Sequence, residues 1–247
     1  MAGPDDQYRG TVKITYSDGR IYEGDFEDGK PHGQGKIIHP RIRDGTSYEG
    51  GFKKGLMHGN GKYTVPNYGT YIGQFEDGYV HGKGKQTFCD GENYEGGYKK
   101  NKRHGNGTLK RPDGSVAYVG EWVDGRQHGE GTAYLPNGNI LYKGGWKNNE
   151  PHGKGVMNYS SGNAYDGEWV DGNKHGKGKM TYANKEVYDG QWMNDKRHGK
   201  GTITYPNGDV FIGEWTSQQK KRDGNTQDAV VDESKSVAKR PKVEVSP

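Results

Sequence analysis

The sequence is poor in the residues from which an ordinary globular core is built. Leu, Ile, Val and Phe number only 4, 9, 15 and 5 among 247 residues. So low a share marks disorder when net charge is high, but the formal net charge here is only +4. Cysteine occurs once, at Cys89, which excludes an internal disulfide framework and a cysteine-based zinc site. No apolar run approaches the roughly 20 residues that a membrane helix needs. No charged-then-apolar signal segment opens the chain either. A soluble, cytoplasmic protein is the expectation. The excess of 36 Lys and Arg over 32 Asp and Glu is too slight, and too scattered, to imply a nucleic-acid partner.

In place of aliphatics the chain carries 44 Gly, 18 Tyr and 5 Trp. Their order is periodic, and internal repeats decide a fold before any local propensity does. The unit reads aromatic-x-Gly-x-aromatic, five spacer residues, then His-Gly-x-Gly. It opens at Tyr22, Tyr48, Tyr71, Tyr94, Tyr118, Tyr142, Tyr165 and Tyr188, and Phe211 opens a ninth, truncated copy. Histidine follows ten residues after each tyrosine, at His32, His58, His81, His104, His128, His152, His175 and His198.

Each unit predicts a β-hairpin. Residues i, i+2 and i+4 of a strand share a face, as do Tyr165, Gly167 and Trp169. Asp-Gly pairs such as Asp28-Gly29, Asp77-Gly78, Asp124-Gly125 and Asp171-Gly172 are strong hairpin-turn signals. Asn101, Asn149 and Asp195 take the place of the turn glycine in three copies, and His39 and Arg111 interrupt the apolar column of the second strand. Glycine weakens a strand but lets another group approach closely. The glycines share the parity of the aromatics, so the rings are expected to lie over glycine backbone and stack between hairpins. Such stacking would replace the missing core, since each ring buries on the order of 150–250 Å².

The string Tyr165-Asp166-Gly167-Glu168-Trp169 through His175-Gly176-Lys177-Gly178 resembles the MORN (membrane occupation and recognition nexus) repeat. The expected fold class is therefore all-β, an elongated single-layer antiparallel meander of tandem MORN hairpins. The expected organisation is a short segment 1–9, an array over 10–215 and a disordered polar tail over 216–247. Within the array a partial repeat, eight full repeats and a truncated last one follow in turn. Gly10 to Gly19 reads as the second half of a preceding repeat, with Val12 in place of the second glycine.

Catalysis finds no support. An active site needs a unique constellation, whereas every His, Asp and Glu of note belongs to a repeated column. Metal is excluded on spacing: histidines one hairpin apart stand about 10 Å from each other, and ligands must converge to about 2 Å from one ion. No cofactor is expected. On the face opposite the aromatics, first strands carry acids (Glu23, Glu49, Asp166, Asp189) and second strands carry bases (Lys36, Lys62, Lys179, Lys200). That face should neutralise itself rather than attract an anionic membrane.

What remains is the aromatic face. A row of Tyr and Trp with polar edges has the composition of a binding surface. The candidate partner-binding residues are Tyr118, Trp122, Tyr142, Trp146, Tyr165, Trp169, Tyr188 and Trp192. The expected function is a non-catalytic scaffold that binds an extended or helical protein segment. The resemblance implies a cytoskeletal or ciliary setting, since axonemal and radial-spoke proteins are built largely of such repeats. The alternatives are a peripheral tether in weak contact with anionic lipid, as in junctophilins, and a regulatory subunit of a separate enzyme. Unpaired edge strands would allow self-association through the array ends. Two basic clusters, Lys220-Lys221-Arg222 and Lys239-Arg240-Pro241-Lys242, resemble the halves of a nuclear import signal.

Overall fold

The computed structural model describes residues 10–40 and 45–216. Segment 1–9, most of the extra residues in the first connection, and the tail from 217 with both basic clusters lie outside the described residues. Two compact units divide the chain near residue 126. The first holds β1 (Gly10–Thr15), β2 (Ile21–Glu27), β3 (Lys30–His39), β4 (Thr46–Lys53), β5 (Leu56–Val65), β6 (Gly69–Glu76), β7 (Tyr79–Phe88), β8 (Asn93–Lys99), β9 (Lys102–Lys110) and β10 (Val116–Val123). The second holds β11 (Arg126–Tyr134), β12 (Ile140–Lys147), β13 (Glu150–Asn158), β14 (Ala164–Val170), β15 (Asn173–Thr181), β16 (Val187–Met193), β17 (Lys196–Thr204) and β18 (Val210–Trp215).

There is no helix among the described residues. Within each unit every strand pairs antiparallel with the next in sequence, so the expected all-β hairpin meander is what the chain adopts. One row of residues ties the register together. In the second unit Gly131, Gly144, Gly155, Gly167, Gly178, Gly190, Gly201 and Gly213 stand opposite one another strand by strand. The first unit repeats the row from Gly24 to Gly120, and only its first member, Val12 of β1, is not glycine.

The glycine that follows each histidine has a different cause. Gly176 sits at φ 57°, in the left-handed region that a side chain resists. The ladder between β14 and β15 shifts register there, so the chain forms a bulge with one backbone group left over. Glu168 closes it, its carboxylate accepting from the Lys177 N–H at 3.1 Å. Asp25, Gln74 and Gln191 do the same for Gln34, Lys83 and Lys200.

Hairpin tips are two-residue turns with both central residues at positive φ, for example Asp171 at 45° and Gly172 at 79°. That twist matches the strands it joins. The three tips without glycine keep the same geometry, with φ of 67° at Asn101, 74° at Asn149 and 67° at Asp195. Asn and Asp tolerate this region, and here their side chains add a contact. From Gly55 onward each tip donates a backbone N–H to the second strand of the preceding repeat, as Gly172 does to the Pro151 carbonyl at 2.9 Å. Asn149 donates in this way to Gln127 at 3.0 Å, and its Oδ1 also accepts from the Gln127 N–H at 2.9 Å. Asn101 and Asp195 make the same return bond to Val80 and Lys174.

The return bond predicts an order of effects at position 149. Asn149→Ala should destabilise by about 1–2 kcal/mol, combining a lost hydrogen bond with a left-handed alanine. Asn149→Gly should lose less than about 1 kcal/mol, because only the bond is lost. Urea unfolding distinguishes them, and equal losses would show that the side-chain bond carries the whole effect.

Candidate functional site

The aromatic face is built from one repeating contact. Tyr165 of β14 leans along its own strand, and its ring covers the facing pair Gly167 and Gly178. A methyl group on Gly178 would stand 2.2 Å from the Tyr165 hydroxyl oxygen, and one on Gly167 would stand 2.6 Å from it. No side chain fits beneath the ring. The hydroxyl then donates to the carbonyl of residue i+3, Glu168, at 3.0 Å. Tyr48, Tyr71, Tyr94, Tyr118, Tyr142 and Tyr188 repeat this bond at 2.8–3.1 Å.

Between the tyrosines stand the aromatics of position i+4. Trp169 meets Tyr165 edge-to-face at 5.0 Å and meets Tyr142 of the preceding repeat at 5.6 Å. Trp192 and Trp215 bridge Tyr165–Tyr188 and Tyr188–Phe211 in the same way. In the first unit the bridging ring is Phe52, Phe75, Tyr98 or Trp122. Each edge-to-face pair contributes about 0.5–1.5 kcal/mol beyond area burial. Tryptophan adds a polar lock across repeats: Trp169 donates to the Gly155 carbonyl at 3.1 Å, and Trp192 to Gly178 at 2.9 Å.

The candidate binding residues therefore form the core. Tyr142, Tyr165 and Tyr188 are fully buried, Trp169 and Trp192 nearly so, and Trp146 packs half-buried against the same cluster in the second unit. Tyr118 and Trp122 are buried in the first unit. The physical reason is the shortage of aliphatics: the rings shield one another, and neighbouring side chains of the same face cover their edges.

Two columns cover them: one escaped the sequence reading, and the other is the apolar column that His39 and Arg111 interrupt. The residue before each histidine lies on the ladder face, opposite the i+4 aromatic. Where it is cationic it sits on ring faces. The Arg103 guanidinium is 4.8 Å from the Tyr94 ring and 5.1 Å from Trp122. The Lys174 ammonium is 4.8 Å from Trp192, and Arg197 is 4.8 Å from Tyr188. Cation–π contacts of this kind contribute about 0.5–2 kcal/mol. The second column stands seven residues after histidine. Tyr159 and Tyr182 pack half-buried against the ladder, and Tyr205 is 40% exposed. Arg197 also donates to the Tyr182 hydroxyl at 2.8 Å and to Glu186 at 3.3 Å. The signal for the first column was parity alone, since its residue type changes from Pro to Met, Val, Gln, Lys and Arg.

The opposite face alternates in charge as expected. Lys13, Glu23, Lys36, Glu49 and Lys62 stand opposite one another across five strands, and Asp166, Lys179 and Asp189 across three. Two pairs close to ion-pair distance, Lys13–Glu23 at 3.6 Å and Lys36–Glu49 at 3.7 Å. These pairs are well exposed, so each adds at most a few tenths of a kcal/mol to about 1 kcal/mol. Exposed apolar residues interrupt the row at Ile72, Val119, Val156 and Ile212.

The histidines flank the tips. His32 and His81 place Nδ1 3.3 Å from Glu27 and Glu76 of their own hairpins. His152 reaches Asp171 of the following tip at 3.4 Å, and its Nδ1 accepts from the Asp171 N–H. Among the described residues no three His, Cys, Asp or Glu side chains gather closely enough to hold a metal ion, and no helix is long and apolar enough to cross a membrane.

A family model for the MORN repeat matches residues 22–40, 48–70, 71–92, 94–116, 118–140, 142–164, 165–187 and 188–210, well over half of the sequence. The chain belongs to the MORN repeat family. Its eight matches open at the tyrosines whose rings cover the glycine row. No curated protein matches it. Solved structures with a distant likeness include the wild-type TCP10 domain of Danio rerio CPAP, at 15% identity and a TM-score of 0.40, covering 82% of this chain and 94% of that one. The same domain in complex with a peptide of Danio rerio STIL gives 16% identity and a TM-score of 0.36, over 83% and 94% of the two chains.

Two expectations follow for this MORN ladder. Trp169→Ala should cost about 3–5 kcal/mol, the range for emptying a large aromatic site, with a matching fall in the urea midpoint. Burial also pushes the hydroxyls of Tyr22, Tyr48, Tyr71, Tyr94 and Tyr188 from 10.0 up to about 12. The folded state thus holds protons that the unfolded chain releases at lower pH. Their contribution to stability is intact below about pH 10 and is lost as pH rises toward about 12. In an alkaline titration the tyrosinate absorbance of these residues should appear together with loss of the β circular-dichroism signal. Ionisation of the ladder tyrosines in a still-folded chain near pH 10 would contradict the assignment.

Proposed function

We propose that this MORN array is a non-catalytic scaffold that holds a protein segment along its aromatic face, in a cytoskeletal or ciliary setting. The observation that carries the reading is the half-open column Tyr159, Tyr182 and Tyr205 beside the buried ladder. The buried rings Tyr118, Trp122, Tyr142, Trp146, Tyr165, Trp169, Tyr188 and Trp192 act as the floor that fixes this column rather than as the contact itself. Tyrosine suits such a surface because it brings area and a hydrogen-bonding tip at little entropic cost. The column recurs once per hairpin, about every 10 Å, so it fits a partner that is itself extended or helical and carries apolar groups at intervals. The opposite face gives little to an anionic membrane, because its bases stand against acids.

The test compares two variants of the full chain for recovery of partners from the cells that make it. Tyr182→Ser with Tyr205→Ser should keep the far-UV spectrum and lower capture of a given partner about tenfold, or about 1.4 kcal/mol. Lys179→Glu with Asp189→Lys, on the opposite face, should leave capture unchanged. Loss of capture in the second variant alone would overturn the reading. If the wild type floats with phosphatidylserine-containing vesicles in low salt and captures no protein partner, a membrane tether is favoured instead.

A further inference from the structure

β1 and β18 are each half of a repeat, and opposite halves. Gly10, Val12 and Ile14 of β1 face Phe26, Gly24 and Tyr22, as Gly199, Gly201 and Ile203 of β17 face Trp215, Gly213 and Phe211. β1 is therefore a second strand, and no first strand precedes it among the described residues. In β18, Phe211, Gly213 and Trp215 stand where Tyr188, Gly190 and Trp192 stand in β16. β18 is a first strand, and no second strand follows it among the described residues. The registers give β1 the neighbour β2, and β18 the neighbour β17.

We propose that β18 of one molecule pairs with β1 of a second copy, joining chains head to tail by completing a MORN hairpin between them. The phase of the free edges fits this. The closing bonds of the two hairpins run from the Tyr16 N–H to the Arg20 carbonyl at 2.8 Å and from the Tyr205 N–H to the Asp209 carbonyl at 2.9 Å. Antiparallel ladders alternate inward and outward pairs. Thr11, Lys13 and Thr15 therefore turn their backbone groups to the free side of β1, and Val210, Ile212 and Glu214 do so on β18. Within the array Val187 faces Thr204, Tyr188 faces Ile203, Asp189 faces Thr202 and Gly190 faces Gly201. The same register across the joint sets Val210 on Thr15 and Ile212 on Lys13, outward groups meeting outward groups. It also puts Phe211 and Ile14 together on the ladder face.

The one exception in the second-strand glycine column and the one exception in the tyrosine column meet at this joint. Within each unit the second-strand glycine lies under the tyrosine of its own hairpin, as Gly201 lies under Tyr188, where a methyl would stand 2.6 Å from the hydroxyl oxygen and 2.7–2.8 Å from two ring carbons. Val12 is the one replacement of that glycine, and Phe211 the one replacement of that tyrosine. The joint brings Val12 to Phe211, whose ring has no hydroxyl to clash with the added side chain and none to anchor it at i+3, so that ring alone can shift to make room. The edges also lack the usual guards against pairing. Neither contains proline, the one charge on each is Lys13 or Glu214, and Ile212 is 55% exposed.

Sedimentation of the full chain over a range of concentrations tests the joint. Wild type should form species that lengthen with concentration, and a wild type monomeric throughout would overturn the proposal. Ile212→Pro removes an outward donor of β18, and Lys13→Pro removes one of β1, each without touching its internal ladder. Each variant alone should be monomeric, and their equimolar mixture should give a one-to-one dimer through the two intact ends. Self-association of the Lys13→Pro variant alone would mean symmetric pairing and overturn the head-to-tail joint. A second pair of variants does not depend on proline being tolerated. Phe211→Tyr should weaken association about tenfold by returning a hydroxyl above Val12, and adding Val12→Gly should restore it. Association unmoved by Phe211→Tyr, or not rescued by Val12→Gly, would remove the proposed packing.

Discussion

A tyrosine ring laid over two facing glycines is the contact on which the rest of the structure depends. A single sheet has no second layer to bury it, and this chain has few aliphatic side chains with which to make one. Removing the side chain from one position per strand lets a ring lie flat against backbone on both strands of its hairpin. The ring is then held by its hydroxyl at i+3, flanked edge-to-face by the next aromatics, and linked through tryptophan N–H groups to the glycine row one repeat back. Loss of the glycine would leave no floor, and loss of the ring would leave exposed backbone.

Glycine thus appears twice in each His-Gly-x-Gly for unrelated reasons. The first takes a left-handed conformation at a bulge, and the second admits the ring. The bulge in turn decides what stands three residues after the ladder tyrosine. Where that residue is Asp25, Gln74, Glu168 or Gln191, its side chain satisfies the backbone N–H left over by the bulge. Where it is Gly51, Gly97 or Gly145, the histidine carbonyl occupies the space, and a methyl there would stand 2.1–2.3 Å from that oxygen. Two local solutions therefore serve one register.

The sequence made the columns legible because every functional atom of the ladder recurs with the repeat. Tyrosine, tryptophan and glycine on one parity announced the hairpin, the meander and the stacking over glycine. The same residues could not announce their own burial, since tyrosine and tryptophan are favoured alike in cores and at interfaces. That is why Tyr165 and Trp169 read as contacts although they are buried. Arg103, Lys174 and Arg197 were hidden for another reason: cations occupy a column that elsewhere holds Pro, Met, Val and Gln. The return bonds of Asn101, Asn149 and Asp195 depend on the offset between neighbouring hairpins, which no single repeat encodes. The division into two compact units left no mark in the spacing.

The tryptophan locks have a mechanical side. In the second unit Trp146, Trp169 and Trp192 each tie a hairpin to the glycine row of the one before it. In the first unit the bridging rings Phe52 and Phe75 have no N–H to donate. Neighbouring hairpins in a meander share load in series when the strands are pulled apart sideways, so the least bonded junction yields first. Under tension the array should open by peeling from its phenylalanine-bridged hairpins, while the tryptophan-bridged ones keep their hold.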